Sequence, residues 1–205
     1  TNDEELRLLG RIHTYDQFVK NYEMARNVGY KNISVDLMYG LPQQTTEKYL
    51  DTVNRIVRLK PDHISAYSLI VEKGTPFYEK YKFDMVKQEA GMRTEFLPNE
   101  DELYEMEKAG QAQLFDAGYK QYEISNYAKN NMVCRHNIGY WTRENYLGLG
   151  IGAASLLDNV RYTNTSDIDK YLSGCRNIHD MKEDVFRTNL HISADVIDRK
   201  AQMEE

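Results

Sequence analysis

The densest set of chemically capable residues is Cys134-Arg-His-Asn-Ile-Gly-Tyr-Trp141, which gathers a thiol, an imidazole, an amide and two aromatic rings, one of them the single tryptophan. An imidazole beside flat apolar surface is what axial ligation of a haem asks for: a nitrogen for the iron and walls for the macrocycle. Other readings stay open for the same residues. His136 can hydrogen-bond within a loop, Trp141 can anchor a core, and a Cys beside a His also forms a nucleophilic pair. His13, His63, His179 and His191 are scattered without a recurring metal-ligand spacing. Cys134 and Cys175 are too few and too far apart for a disulfide framework or a tetrathiolate metal site.

A second set lies toward the start of the chain. Asp36 falls near the end of an apolar, β-branched run closed by Gly40-Leu-Pro42, and in parallel α/β folds ligands are held at the carboxyl ends of strands. A carboxylate there can accept hydrogen bonds from ribose hydroxyls or pair with an ammonium group. It can equally cap the turn. Ile70, at the end of the next apolar run, suits either the face of a ligand ring or plain core. Arg11 precedes the first long helix, where its guanidinium could hold a carboxylate, bridge to Asp36 or lie in solvent. The run Gly148-Leu-Gly150-Ile-Gly152 permits close backbone approach. It has neither the Lys-Ser/Thr ending of a phosphate loop nor the glycine spacing of a dinucleotide fold.

The elements that must position these residues follow from periodicity. Residues 16–28 repeat apolar positions at helical intervals behind Thr14, with Gly29 as a stop, and a strand over 32–39 follows that reaches its end near Asp36 or Leu37. A helix over 46–59 stops before Lys60-Pro61, and a strand runs over 63–71. Helix, strand, helix, strand is the rhythm of a parallel sheet with crossover helices. Residues 72–97 are more polar and read as an excursion that forms part of a lid. A helix over 99–117 ends at Gly118, a strand over 119–124 follows, and 125–141 loses periodicity. The glycine-dense stretch 146–155 reads as a strand that lets two layers approach, the chain beyond Asp158 is weakly patterned, and 193–205 opens as a helix.

Composition narrows the classes. The 205 residues carry 41% apolar side chains, 26 basic against 32 acidic groups and a net charge of −6, with the signs interleaved. That balance argues against a protein that tracks nucleic-acid phosphates. No apolar run approaches the roughly 20 residues of a membrane span, residues 1–10 have no signal-peptide pattern, and the scarcity of cysteine suits a reducing, cytoplasmic setting.

Several motifs then carry a resemblance. Asn2-Asp-Glu-Glu-Leu-Arg-Leu-Leu-Gly-Arg-Ile-His-Thr14, Asp36-Leu-Met-Tyr-Gly-Leu-Pro42 with Gln44-Thr45, Ile64-Ser-Ala-Tyr-Ser68, Gly118-Tyr-Lys-Gln-Tyr-Glu-Ile-Ser-Asn126, Cys134-Arg-His-Asn-x-x-Tyr-Trp141 and Tyr146-Leu-Gly-Leu-Gly150 occur in one order. Together they resemble the oxygen-independent coproporphyrinogen III oxidase-like radical SAM proteins. The His-Asn-x-x-Tyr-Trp sequence is similar to the haem chaperone branch of that family rather than to the oxidase itself.

The resemblance implies an α/β fold: the C-terminal part of a partial (β/α)6 radical SAM barrel followed by an α+β segment. Residues 1–98 would supply barrel units, 99–175 the barrel-closing segment with the His-Asn-x-x-Tyr-Trp motif and the glycine-rich strand, and 176–205 the start of a helical region. It implies S-adenosylmethionine contacts at Arg11, Asp36, Ile70 and Ala154, and haem contacts at His136, Asn137, Tyr140 and Trp141. The cofactors implied are S-adenosylmethionine, a 4Fe-4S cluster and haem, with a haem-accepting protein as partner. The family's Cys-x-x-x-Cys-x-x-Cys loop is absent, so the chain is expected to be an internal piece of a longer protein, inactive in radical chemistry by itself and prone to self-association at open sheet edges. Gly152-Ala-Ala-Ser155 stands where the chaperone branch often has Gly-Ala-His-Ser. The enzymatic alternative is the oxidase, in which a cofactor-derived radical starts oxidative decarboxylation of propionate side chains.

Overall fold

The computed structural model describes residues 2–176. The helix expected over 193–205 and nearly all of the segment 176–205 lie outside them. The chain divides into two compact units, one ending at Cys134 and one beginning at Arg135.

In the first unit, α1 (Asp3–Leu8) is capped by Asn2, whose side chain accepts from the Glu4 N–H at 2.9 Å. Helix α2 (Tyr15–Asn27) opens on a capping box in which Thr14 and Gln17 satisfy each other's backbone N–H groups. Strand β1 (Ser34–Tyr39) turns Val35, Leu37 and Tyr39 to the core. Helix α3 (Thr46–Leu59) is capped by Thr45 and ended by Lys60 in the left-handed conformation. Strand β2 (His63–Ser68), helices α4 (Pro76–Glu89) and α5 (Glu100–Asp116), and two short strands, β3 (Lys120–Gln121) and β4 (Asn126–Ala128), complete the unit.

The sheet order is β1-β2-β4-β3. β1 and β2 are parallel, Ser34 opposite His63 through Tyr39 opposite Ser68, whereas β4 is antiparallel to both β2 and β3. The parallel reading therefore holds for the pair joined by α3, and a hairpin follows where one strand over 119–124 was expected. The core is Tyr49, Val53 and Ile56 of α3, the inward residues of β1 and β2, and Met106 and Leu114 of α5. Gly110 is what lets α5 close on α3: a Cβ there would stand 2.5 Å from Tyr49 Cε1. The boundary expected after Pro98 falls inside this unit, just ahead of α5.

Three expectations are corrected. β1 continues to Tyr39, so Asp36 is mid-strand rather than at its end. β2 stops at Ser68, which leaves Ile70 beyond the strand. The region read as a lid contains α4, begun by Thr75 as cap with Pro76 in the first turn. Its periodicity is hidden because it buries Tyr81 and Asp84 while Phe83 and Val86 stay exposed.

In the second unit, α6 (Arg135–Trp141) carries the His-Asn-x-x-Tyr-Trp motif. Strands β5 (Ala154–Leu157) and β6 (Val160–Thr163) form an antiparallel hairpin turned by Asp158 and Asn159, both at positive φ. Helix α7 (Ile168–Arg176) ends the described residues. The glycine-dense stretch precedes β5 rather than forming a strand, touching the hairpin through a bridge between Tyr146 and Leu156. Gly150 and Gly152 hold positive φ, which curls the chain back. Among the described residues no helix is long and apolar enough to cross a membrane.

Candidate functional site

Strand alternation puts Ser34, Asp36 and Met38 on the face of β1 that looks away from the core, and the register aligns them with His63, Ser65 and Tyr67 of β2. Asp36 is exposed on this polar face. Tyr67 shares its electrostatic surroundings: burial raises the phenol's pKa, the Asp36 carboxylate raises it further and Arg11 pulls it back. Asp36 and Arg11 thus both act by charge on Tyr67, and a carboxylate, a guanidinium and an aromatic ring have the chemistry to hold a nucleoside bearing an amino-acid group. Ile70 is 77% exposed just past β2. Ala154 opens β5 in the second unit. Sequence reasoning misses Tyr67; the signal was the alternation with buried Ile64 and Ala66.

The turn after β1 is held from several sides. Gly40 has φ +75°, and a Cβ on it would meet Leu103 Cδ2 at 2.6 Å. Buried Gln44 donates to Glu5 Oε1 at 3.2 Å and accepts from the Leu41 N–H at 3.3 Å, and burial raises the Glu5 pKa against that hydrogen bond. Gln43 donates its N–H to the Phe96 carbonyl at 2.7 Å. Phe96 is fixed in turn by Asp84, whose buried carboxylate accepts the N–H groups of Glu95, Phe96 and Leu97. Burial pushes the Asp84 pKa up, but these donors and Lys87 outweigh it and hold the group below the usual carboxylate range.

At the amino-terminal end of the same face lies a hydrogen-bonded chain that the sequence did not disclose. His63 is 4% exposed. Its Nδ1 is 2.7 Å from Ser34 Oγ and its Nε2 is 2.8 Å from the Tyr122 hydroxyl. The Tyr122 oxygen also accepts the Cys134 N–H at 3.2 Å. Burial lowers the His63 pKa, and the Asp36 and Glu123 carboxylates oppose that only in part. With a folded value below the unfolded one of about 6.5, protons bind the unfolded chain more readily, so the contribution to stability is complete above that pH and declines as pH falls through it. Urea unfolding is expected to show lower stability at pH 5.5 than at pH 7.5, with a flatter dependence in His63→Gln. Equal slopes in the two proteins would remove His63 as the source.

In the second unit His136 is exposed on α6. Its ring meets Tyr140 edge-on, centroids 4.9 Å apart at 83°, and Tyr140 meets Tyr146 in the same way at 4.7 Å and 75°. The i,i+4 spacing of a helix makes the first contact possible. Trp141, half-buried, is the last residue of α6. Asn137 Oδ1 is buried with no hydrogen-bond partner, an acceptor left open in the helix that carries His136. An exposed imidazole beside one aromatic ring has the chemistry to take a haem iron as cargo. Cys134, one residue before α6, has a free, exposed thiol. Among the described residues no three His, Cys, Asp or Glu side chains are grouped to hold a metal ion, so this donor set does not fit an iron–sulfur cluster.

No protein-family model matches the chain. Its sequence is 32% identical to the heme chaperone HemW of Lactococcus lactis over 204 residues, 100% of this chain and 48% of that protein. The Bacillus subtilis protein of the same name is 36% identical over 170 residues, 83% of this chain and 42% of that one. The mitochondrial radical S-adenosyl methionine domain-containing protein 1 of Mus musculus is 39% identical over 152 residues, 74% of this chain and 32% of that one. The chain spans about half the length, or less, of the curated relatives it matches. Among solved structures it is similar to the radical SAM enzyme coproporphyrinogen III oxidase (HemN) of Escherichia coli, with a TM-score of 0.64 and 21% identity over 86% of this chain and 41% of that one. That likeness shows the fold, a portion of the radical SAM α/β architecture. The chain is thus similar, over its own length, to part of the proteins named heme chaperone HemW, and its fold is similar to part of coproporphyrinogen III oxidase.

Proposed function

We propose that the chain is the haem-holding portion of a haem chaperone, a protein that binds haem and hands it to a haem-dependent acceptor. The observation that carries this is the exposed His136 ring, set edge-on to Tyr140 in a motif that resembles that of the chaperone branch. His136 is the axial ligand, Tyr140 and Trp141 wall the macrocycle, and Asn137 offers its open acceptor to a polar group at the rim. On the first unit's polar face, Asp36 accepts from ribose hydroxyls of S-adenosylmethionine and Arg11 holds its carboxylate. Ile70 contributes apolar contact to the same cofactor. A 4Fe-4S cluster, where one is bound, takes its cysteines from elsewhere in a full-length protein; such a pair of cofactors supplies one-electron chemistry or regulation. The interleaved charge keeps nucleic acid out of the partner set, and the reducing setting read from the sequence is cytoplasmic. Among the described residues β1 lies at an edge of the sheet, so the 205-residue chain by itself associates with further copies; a clean monomer on sedimentation at high concentration would remove that expectation.

The test is functional. Full-length protein loaded with haem is mixed with an apo haem protein, and transfer is followed by the acceptor's Soret band. Transfer faster than from free haem, lost in His136→Ala, supports the chaperone. The second reading, oxidative decarboxylation of coproporphyrinogen, is favoured by the fold match alone. Turnover of coproporphyrinogen without haem transfer would establish it instead.

A further inference from the structure

The hydrogen-bonded chain at the end of the sheet bears on the haem helix through the residue it holds. Cys134 closes the first unit and Arg135 opens α6, whose second residue is His136. With seven residues, α6 is far below the length at which an isolated helix is stable in water. Its order depends on what fixes its ends. The preceding loop needs fixing too, because Asn130 and Asn131 both hold positive φ. Two bonds to residues flanking the first unit's strands fix it: the Lys129 N–H donates to the carbonyl of Asp62, just before β2, at 2.9 Å, and the Cys134 N–H donates to the hydroxyl of Tyr122, just after β3, at 3.2 Å. The hydroxyl is not free to rotate away, since it also bonds His63 Nε2 at 2.8 Å, and His63 is locked through Nδ1 by Ser34 at 2.7 Å. The ring faces of Tyr122 and His63 add contact, with centroids 5.6 Å apart.

We propose that Tyr122 is a positioning residue for haem binding: its hydroxyl, backed by His63, pins the Cys134 amide so that the turn into α6 is ordered before haem arrives. This deepens the haem reading above and rests on it. A helix ordered in advance spares the ligand the entropy of ordering it, and that saving appears as affinity. Tyr122 touches neither iron nor macrocycle in this account; it acts through the backbone at Cys134.

The experiment compares full-length wild type, Tyr122→Phe and His136→Ala by haem titration, with hydrogen–deuterium exchange over residues 134–141 of the haem-free proteins. Tyr122→Phe is expected to weaken haem about three- to tenfold while keeping the axial-ligand spectrum. Exchange over 134–141 should be faster in it, with the core of α3 unchanged. His136→Ala should lose the spectrum instead. A second pair guards against a folding defect: His63→Gln, which keeps an amide against the Tyr122 hydroxyl, should behave as wild type, and His63→Leu should behave as Tyr122→Phe. Wild-type haem affinity and exchange in both Tyr122→Phe and His63→Leu would overturn the proposal and leave the haem reading standing. Binding in wild type that is identical in His136→Ala would overturn both.

Discussion

Asp84→Ala is expected to destabilise the first unit by about 3–5 kcal/mol, measured by urea unfolding. The carboxylate is 4% exposed and accepts three successive backbone N–H groups, those of Glu95, Phe96 and Leu97. Alanine removes three charge-assisted hydrogen bonds and leaves the N–H of buried Leu97 without a partner, while those of exposed Glu95 and Phe96 turn to water. Asp84→Asn keeps an acceptor without the charge and should lose roughly half as much. The effect reaches the functional face, because Phe96 holds Gln43 in the turn that follows β1. A loss within about 0.5 kcal/mol of zero, typical of surface substitutions, would contradict the account of this loop.

The second large effect is expected at Gly148. A Cβ there would lie 2.1 Å from the carbonyl oxygen of Ala154, and a backbone atom cannot swing aside as a side chain can. The surrounding bonds confirm how closely the two segments run: Gly148 donates its N–H to Ser155 Oγ at 2.9 Å, and Asn164 Nδ2 donates to the carbonyls of Gly148 at 3.2 Å and Gly150 at 2.8 Å. Gly148→Ala must push the glycine stretch off β5, at a cost of about 3 kcal/mol. Tyr146, two residues earlier, carries the edge contact to Tyr140, so the variant should also blur the haem spectrum. Gly150→Ala is the contrast: no atom lies within 4 Å of its Cβ, and only its φ of +104° resists the change. A Gly148→Ala protein as stable as wild type would mean that this close approach does not exist in solution.

What the sequence discloses and what it hides divide along a physical line. Thr14, Thr45 and Asn99 mark helix starts by local hydrogen bonding, and Lys60-Pro61 marks a stop by local sterics, so α2, α3 and α5 are legible within a residue or two. Helix α4 is not, because its buried positions include Asp84, a charge whose partners lie in a loop 11 to 13 residues away. The hairpin of β3 and β4 is hidden because strands of two and three residues leave no period to read. At the candidate sites, Asp36, Arg11 and His136 stand out by residue type and neighbouring motif. Tyr67, His63 and Tyr122 do not, since what distinguishes them is strand register and contacts across 59 positions of chain. A histidine with both nitrogens engaged looks, in sequence, like any other.

The central claim is that His136 ligates haem, and its most direct test is a haem titration of the full-length protein beside its His136→Ala variant, followed by Soret absorbance. A saturable complex with a histidine-ligated spectrum is expected in the first protein, and loss of that spectrum in the second. Identical spectra and affinities in the two would contradict it.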